Sequence, residues 1–267
     1  MDLEPFVLAH EPAIRLSFFV GVFAIVALWE LAAPRRALTV SKALRWGSNL
    51  GLVALNTLVL RLMFPLAAVG VAAFGVANGW GLLNHFEVPF WLAVPVAVIA
   101  MDFVIWLQHV MVHAVPALWR LHQVHHADLD YDLTTGARFH PIEIALSMLI
   151  KLATITVLGP PVLAVVIFEV LLNATAMFNH GNIHLPEAVD RVLRRVVVTP
   201  DMHRIHHSVV RAEHDSNYGF ALSVWDRIFR TYRAQPIAGH DAMVVGLEWQ
   251  DERPARLGWA LGLPFRR

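Results

Sequence analysis

The sequence predicts an all-α, polytopic helical membrane protein of about four to five spans, including a helical hairpin, with a cytoplasmic helical cap that holds a histidine-rich dimetal site. Three observations predict this fold. Of 267 residues, 57% are hydrophobic and 16% charged, whereas soluble domains average about 45–50% apolar and about 25% charged residues. Long apolar stretches recur along the chain, and most of the 15 histidines follow them in clusters.

The charge balance and the cysteine count exclude several classes of protein. Lysine and arginine together number 21, as do aspartate and glutamate, so no overall field would attract a polyanion and we expect no nucleic-acid partner. There is no cysteine, which excludes disulfides, thiolate catalysis and metal sites built on sulfur.

The first apolar stretch covers residues 14–33, with Glu30 as its only carboxylate. It is long enough to cross a hydrocarbon core of ~30 Å. It lacks a basic leading region and a small-residue cleavage site, which favours a retained span over a cleaved signal peptide.

The second stretch, residues 48–77, is interrupted by Arg61 and Pro65. It is too long for one untilted helix, and an arginine at mid-bilayer is costly. A tilted helix, a helix broken at the proline, and a span followed by an interfacial piece all fit this pattern.

Two further apolar stretches complete the membrane part. Residues 88–107 predict a third span. Residues 142–178 are divided by Gly159-Pro160-Pro161, and this combination of residues predicts the tip of a helical hairpin.

Basic residues predict the orientation, because cytoplasmic loops carry an excess of lysine and arginine. The link after the first span contains four such residues, whereas residues 78–87 contain none. The third span then returns to the cytoplasm and the hairpin re-emerges there. Both histidine-rich stretches are therefore expected on the cytoplasmic face. The four basic residues are Arg35, Arg36, Lys42 and Arg45.

Ten histidines form four clusters, ordered as pair, triplet, pair and triplet. Residues three or four apart share one face of a helix, so each cluster directs its imidazoles to a common point. Imidazole binds iron, zinc, copper and nickel, and ten imidazoles exceed what one ion accepts, which predicts two metals. A pH-sensing patch would not require such regular spacing. The candidate ligands are His109, His113, His122, His125, His126, His180, His184, His203, His206 and His207.

Metal-bound imidazoles usually donate their second N–H to a carboxylate or carbonyl. Several nearby polar residues are candidates for this support, although helix capping or surface solvation accounts for each as well. His140 fits either an extra ligand or a hydrogen-bonded helix start. We interpret His10, His85, His214 and His240 as isolated structural or surface residues. The candidates for support are Asp102, His140, Glu143, Asn179 and Asp201.

These motifs resemble those of the fatty acid hydroxylase / sterol desaturase superfamily of integral-membrane diiron enzymes. The resemblance rests on the first pair and triplet, Asn179-His180-x-x-x-His184, Asp201-Met202-His203-x-x-His206-His207, Asn217-Tyr218-Gly219 and Trp225-Asp226-Arg227-Ile228-Phe229. It implies three regions: N-terminal spans in 1–95, a catalytic domain in 96–235 and a cytoplasmic tail in 236–267.

The resemblance implies that the ten histidines hold or directly support two non-haem irons. It implies activation of O₂ and hydroxylation, or alternatively desaturation, of a C–H bond of a lipid. The chain looks most like bacterial members, which implies the bacterial inner membrane. Because no haem-binding domain is fused here, a separate ferredoxin, or a cytochrome with its reductase, would supply electrons.

Two other functions stay open. A membrane zinc metallohydrolase would need an open metal position and a nearby base, but the sequence has no H-E-x-x-H motif. The second alternative is a non-enzymatic metal- or haem-binding membrane protein. Metal carriers more often place their ligands within the spans, and a haem needs only two axial histidines.

Overall fold

The computed structural model describes residues 3–266, and within this range the regular structure is helical, with isolated β-bridges in place of strands. The all-α prediction is confirmed. The first eight helices are α1 Leu3–Ala32, α2 Lys42–Met63, α3 Ala67–Ala77, α4 Leu82–His85, α5 Phe90–Ala114, α6 Pro116–His126, α7 Pro141–Leu158 and α8 Val162–Asn179. They are followed by α9 Glu187–Leu193, α10 Pro200–His206, α11 Arg211–His214, α12 Val224–Ile228, α13 Gly239–Ala242 and α14 Leu257–Gly262.

Five helical segments of the described chain are long and apolar enough to cross a membrane: α1, the region from α2 to α4, α5, α7 and α8. Their number agrees with the four to five spans predicted. Large apolar side chains on the outer faces, such as Leu28 and Leu31 of α1, are exposed. Such faces suit a lipid environment, and the chain is a membrane protein.

The second apolar stretch is a helix broken at its proline. Helix α2 ends at Met63, Pro65 lies in the break, and α3 begins at Ala67. Proline has no N–H to donate and its ring clashes with the preceding turn, which ends a helix. Arg61 lies in the last turn of α2 and is exposed.

The predicted hairpin consists of α7 and α8, which join at Gly159. This glycine adopts φ +62°, and a Cβ atom at this position would overlap the main-chain oxygen of Trp80. Glycine is therefore required both for the left-handed conformation and for the close approach. The hairpin tip thus packs on the loop between α3 and α4, at one end of the helix bundle.

The opposite end of the bundle carries the histidines. Glu4, at the start of α1, lies 3.5 Å from the main-chain nitrogen of Leu163, beside the hairpin tip, so α1 runs away from the tip. The end of α1, the start of α2, the end of α5, the start of α7 and the end of α8 consequently meet at the far end. Both histidine-rich stretches lie there, on the same side of the bundle.

The apolar core lies around α5 and α8, with α1 packed on α8 and with α3 and α7 alongside. Ala97, Ile105, Val165 and Phe168 are among its buried members. A second, smaller cluster joins the C-terminal part to α2 and α6, and its residues include Leu52, Val124, Leu247, Ala260 and Leu263. Residues 236–266 therefore pack on the helical body.

Candidate metal centre

Four short segments bring nine histidines together. His109 and His113 lie on the last two turns of α5, and α6 follows at once because Pro116 occupies its first turn, where a missing N–H costs nothing. The C-terminal half of α6 carries the first triplet. His180 directly follows the end of α8. Helix α10 also begins with a proline; it contains His203 and His206, and His207 directly follows its last residue.

The nine imidazoles form two groups in which one nitrogen from each ring lies within 4.8 Å of every other. All nine residues are buried. The first group consists of His109, His113, His122, His126 and His206, and the second of His125, His180, His203 and His207.

The two groups abut because adjacent residues belong to different groups. His125 and His126 point to opposite groups, as do His206 and His207. Across the boundary, the ring centroids of His126 and His207 are 4.6 Å apart, and those of His125 and His126 are 5.4 Å apart. The geometry is that of two neighbouring metal sites in one pocket.

Main-chain carbonyl oxygens orient several of the rings. Nδ1 of His109 lies 2.7 Å from the oxygen of Tyr218, Nδ1 of His206 2.8 Å from that of Ser216, and Nδ1 of His180 2.8 Å from that of Ala176. A carbonyl can only accept, so in each ring Nδ1 carries the proton and Nε2 keeps a lone pair for a metal.

Several of the inward nitrogens lack partners within the described chain. Nε2 of His126, His203, His206 and His207 makes no hydrogen bond. Nε2 of His109 instead faces Nε2 of His122 at 3.2 Å. Leaving a buried polar atom unpaired costs about 1–3 kcal/mol, so this concentration of unpaired nitrogens fits transition-metal ions bound between the rings.

Burial keeps these rings neutral. It is the main reason that the pKa values of His125, His126 and His206 lie well below their usual range, and neighbouring imidazoles lower them further. Burial likewise lowers the pKa of His180 to about 3. At neutral pH the lone pairs are therefore free to bind metal.

A single carboxylate organises the loop that orients the rings. Asp226, just after the start of α12, accepts hydrogen bonds from Trp106 Nε1, from the Tyr218 amide at 2.9 Å and from the Gly219 amide at 2.9 Å. The same loop supplies the carbonyl that faces His109. The carboxylate thus fixes the ring of His109 through one intervening residue.

Two of the predicted supporting residues lie at the start of α7. Oε1 of Glu143 lies 2.6 Å from Nδ1 of His122, and both groups are buried. His140 caps the helix instead, since its Nδ1 accepts from the amide of Ile142 at 3.2 Å. The structure therefore gives His140 the helix-start position that the sequence left as one of two alternatives.

The other three candidates bond to groups other than histidine ligands. Asp102 accepts from Trp225 Nε1 at 2.8 Å. Asn179 donates to the carbonyl oxygen of Phe220 at 2.7 Å. Asp201 pairs with Arg204 and Arg35. In the described part of the chain, none of the three makes a side-chain hydrogen bond to a grouped histidine.

His184 is not brought to the site. Helix α8 ends at Asn179, and the following residues are extended, with Ile183 in an isolated bridge to Pro34. Four-residue spacing puts two side chains on one face only within a helix, so His184 is exposed while His180 is buried. The sequence-based assignment of His184 as a ligand assumed a helix that had already ended.

The structure also reveals a buried ion network beside the first triplet, on α6 and in the residues that follow it. Arg45 lies 2.7 Å from Asp128 and 2.6 Å from Asp132, and all three are buried. Arg138 donates to the carbonyl of Val124 in α6 at 2.7 Å and to that of Pro254 at 2.6 Å. Sequence analysis could not predict these pairings, because most of the partners are far apart along the chain.

His214 is a second residue that sequence reasoning missed. Its ring stacks on Trp119 at 5.2 Å, and together with His113 and Asp215 it forms a further group of three potential ligands. The only signal in the sequence is the dipeptide His214-Asp215, which has no partner at helical spacing.

A cavity of about 320 Å³ leads from the first histidine group into the membrane part. His109 and His122 line its upper end, and α1, α2, α5, α7 and α8 form its walls. Apolar side chains such as Ile105, Met148 and Leu172 cover much of it. A cavity of this size suits a small or extended apolar molecule.

Comparison with known proteins identifies the family. Residues 94–231 match the family model described as fatty acid hydroxylase, and this region contains all nine grouped histidines. The chain belongs to the fatty acid hydroxylase family. The predicted resemblance is thereby confirmed, and the matched region begins in α5 and ends just after α12.

The chain is also similar to parts of two curated proteins. The chain is 30% identical to alkylglycerol monooxygenase of Homo sapiens over 156 residues, which is 57% of this chain and 32% of the relative. It is 26% identical to the ornithine lipid hydroxylase OlsE of Rhizobium tropici over 176 residues, or 65% of this chain and 51% of the relative. The matches thus span about a third to a half of these relatives. No solved structure matches the chain significantly.

Proposed function

We propose that this protein is a membrane-bound non-haem diiron oxygenase that hydroxylates a C–H bond of a lipid, using O₂ and electrons from outside the chain. The observation that carries the proposal is the pair of abutting histidine groups, in which five of the nine rings have an Nε2 atom without a partner in the described chain. The printed activities of the relatives, a monooxygenase and a hydroxylase, favour hydroxylation over desaturation.

The nine grouped histidines would hold the two irons. When bound, a pair of redox-active metals would pass the external electrons to O₂ and offer open coordination positions, which hydroxylation of an unactivated C–H bond requires. The donor set is entirely imidazole, which suits iron, zinc, copper and nickel alike, so the family membership rather than the donor set favours iron.

The residues of the chain contribute positioning and exclusion of water. Carbonyl oxygens hold the Nδ1 protons, so each ring presents its lone pair in a fixed direction. Glu143 does the same for His122 at 2.6 Å. Phe139 stacks on His125 at 4.5 Å between ring centroids, and Phe220 lies 5.2 Å from His109. These aromatic rings cover the site where it meets the cavity.

The cavity provides the place for the substrate. It begins at His109 and His122 and continues between membrane helices, so an alkyl chain can leave the bilayer with its reactive carbon directed at the histidines. The substrate is therefore proposed to be a lipid. The membrane delivers it, and the cap keeps the reacting carbon away from bulk water.

Several parts of the proposal concern the surroundings of the enzyme. We place the histidine end on the cytoplasmic face of a bacterial inner membrane, because the links at that end are rich in arginine. A separate ferredoxin, or a cytochrome with its reductase, would deliver electrons there. We retain residues 96–235 as the catalytic domain, preceded by the N-terminal spans and followed by the tail.

The proposal is tested by metal content and by the source of the new oxygen. Protein extracted in mild detergent from cells grown without excess zinc is expected to contain two irons per chain. With reductant and a lipid extract, ¹⁸O₂ should label a lipid hydroxyl group. One zinc per chain with oxygen incorporated from water would instead indicate a hydrolase, and a Soret band would indicate a haem protein.

A further inference from the structure

A cluster of charged side chains lies in the membrane part of the cavity. Arg15 of α1, Lys151 of α7 and Glu169 of α8 all line it. Lys151 follows Glu143 by eight residues on the same helix, which places it about 12 Å further along the axis at 1.5 Å per residue. Since Glu143 bonds to His122, the cluster lies about this far from the histidine end.

The cluster is a closed set of ion pairs. Lys151 Nζ lies 2.9 Å from Oε1 of Glu169, and Arg15 Nη1 lies 3.1 Å from its other oxygen. Arg15 also pairs with Glu11 at 2.5 Å. Two positive and two negative charges sum to zero, so the cluster is neutral as a whole.

Such a cluster is unusual at this depth. Glu169 is seven residues from the start of α8 and ten from its end, near the middle of an 18-residue span. Ionisable groups in this position are costly, and they characteristically mark a binding or transport function. Apolar contacts would hold α1, α7 and α8 together without them.

The cluster has unused hydrogen-bonding capacity on its cavity side. An ammonium group has three donors, and Lys151 Nζ makes a single hydrogen bond, to Glu169. Oε2 of Glu169 is buried and accepts no hydrogen bond, although Arg15 is close. Two spare donors on Lys151 and one spare acceptor on Glu169 therefore lie close together.

We propose that Lys151 and Glu169 bind a hydroxyl group of the lipid substrate. A hydroxyl both accepts and donates, so it can accept from the ammonium group and donate to the free carboxylate oxygen. Because the cluster is already neutral, an ionised headgroup would add an uncompensated charge at mid-membrane. The preferred ligand is thus a neutral lipid with a hydroxyl at a fixed distance from the carbon that reacts.

The inference rests on the proposed function for its reactive end, but its own test is a binding measurement. The probes are 1-hexadecanol, its methyl ether 1-methoxyhexadecane, which cannot donate, and the anion hexadecanoate. Native mass spectrometry of the full-length, metal-loaded protein released from detergent micelles gives the bound fraction of each. The alcohol is expected to bind about tenfold more tightly than the ether, as for a hydrogen bond to a charged group.

The variant for this test is Lys151→Met with Glu169→Met, which removes the charges and the hydrogen-bonding groups of the pair and leaves Arg15 paired with Glu11. In this double variant the ratio of alcohol to ether binding is expected to fall to about one. Lys42→Met is the matched control, since Lys42 is the other lysine of the chain and pairs with Glu30 at the histidine end. It should leave the ratio unchanged.

Equal binding of alcohol and ether by the unaltered protein would overturn the inference, whether or not the double variant can be produced. Preference for hexadecanoate, or an unchanged ratio in the double variant, would also overturn it. A protein that prefers the alcohol but oxidises no lipid would preserve the hydroxyl site and refute the oxygenase. A protein that hydroxylates lipids without preferring the alcohol would do the reverse.

Discussion

Oε1 of Glu143 lies 2.6 Å from Nδ1 of His122, so a carboxylate at the start of α7 orients an imidazole on α6. Both groups are buried and lie at the wall of the cavity. The arrangement holds Nε2 of His122 toward His109. We therefore expect Glu143 to influence the metal affinity of the site through His122.

Replacement of Glu143 by glutamine keeps an acceptor for Nδ1 of His122 but removes the negative charge. It is therefore expected to weaken metal binding by about tenfold, the lower end of the usual cost of changing a partner behind a ligating histidine. Iron titration of the apoprotein would measure the affinity. Glu248→Gln alters an exposed glutamate and should have no effect. Unchanged affinity in Glu143→Gln would show that the charge of Glu143 does not contribute to metal binding.

His180 and His184 form a matched pair for mutagenesis. His180→Ala should remove one ligand from the second group and reduce the iron content from two toward one per chain. His184→Ala should leave metal content and activity unchanged, because His184 is exposed. Metal analysis of both purified variants tests this, and equal losses would return His184 to the ligand set.

Asp128 gives a prediction for acid stability. The Arg45 guanidinium lowers the pKa of Asp128 to about 2 despite its burial. Since the folded-state pKa lies below the ordinary value of about 3.9, the ionised carboxylate stabilises the fold above that value. The contribution, about 2 kcal/mol at 1.36 kcal/mol per pKa unit, is lost as the pH falls from about 4 to about 2.

Thermal unfolding in detergent between pH 6 and pH 2 checks this expectation. Asp128→Asn should lower Tm at pH 6 and flatten its dependence on pH in the acid range. Glu252→Gln, at an exposed position, should keep the slope of the unaltered protein. An unchanged slope in Asp128→Asn would mean that other carboxylates control acid unfolding.

Gly159 and Gly79 separate backbone strain from steric overlap. Both adopt positive φ, but a Cβ at Gly79 would meet nothing within 4 Å, whereas one at Gly159 would overlap Trp80. Gly79→Ala should cost about 1–2 kcal/mol for the left-handed conformation, and Gly159→Ala clearly more. Comparison of the two Tm values measures the difference, and equal values would exclude the close approach at the hairpin tip.

The sequence predicted the membrane helices and the histidine clusters because both depend on local spacing. Apolar stretches locate spans by length alone, and the triplets fall on helices where three- and four-residue spacing has its usual meaning. The same argument does not extend to His184, because α8 ends at Asn179, five residues earlier. Local patterns do not reveal where a helix gives way to an extended segment.

The contacts that hold the site in place could not be predicted, because they join distant parts of the chain. Arg45 and Asp128 are 83 residues apart, and Trp106 and Asp226 are 120 apart. Asp102 shares a helix face with His109, yet it bonds to Trp225. Which carboxylate meets which donor depends on how the helices pack, and that information lies in the whole fold.

The hydrogen bond from Arg138 to the carbonyl oxygen of Pro254 has a practical consequence for handling the protein. A truncation after residue 250 would leave a buried guanidinium short of an acceptor and would strip Ala260 and Leu263 from the apolar cluster on α2 and α6. Shortened versions should therefore aggregate on extraction. An affinity tag should be separated from Phe265 by a flexible spacer, so that residues 253–265 stay packed on α2 and α6.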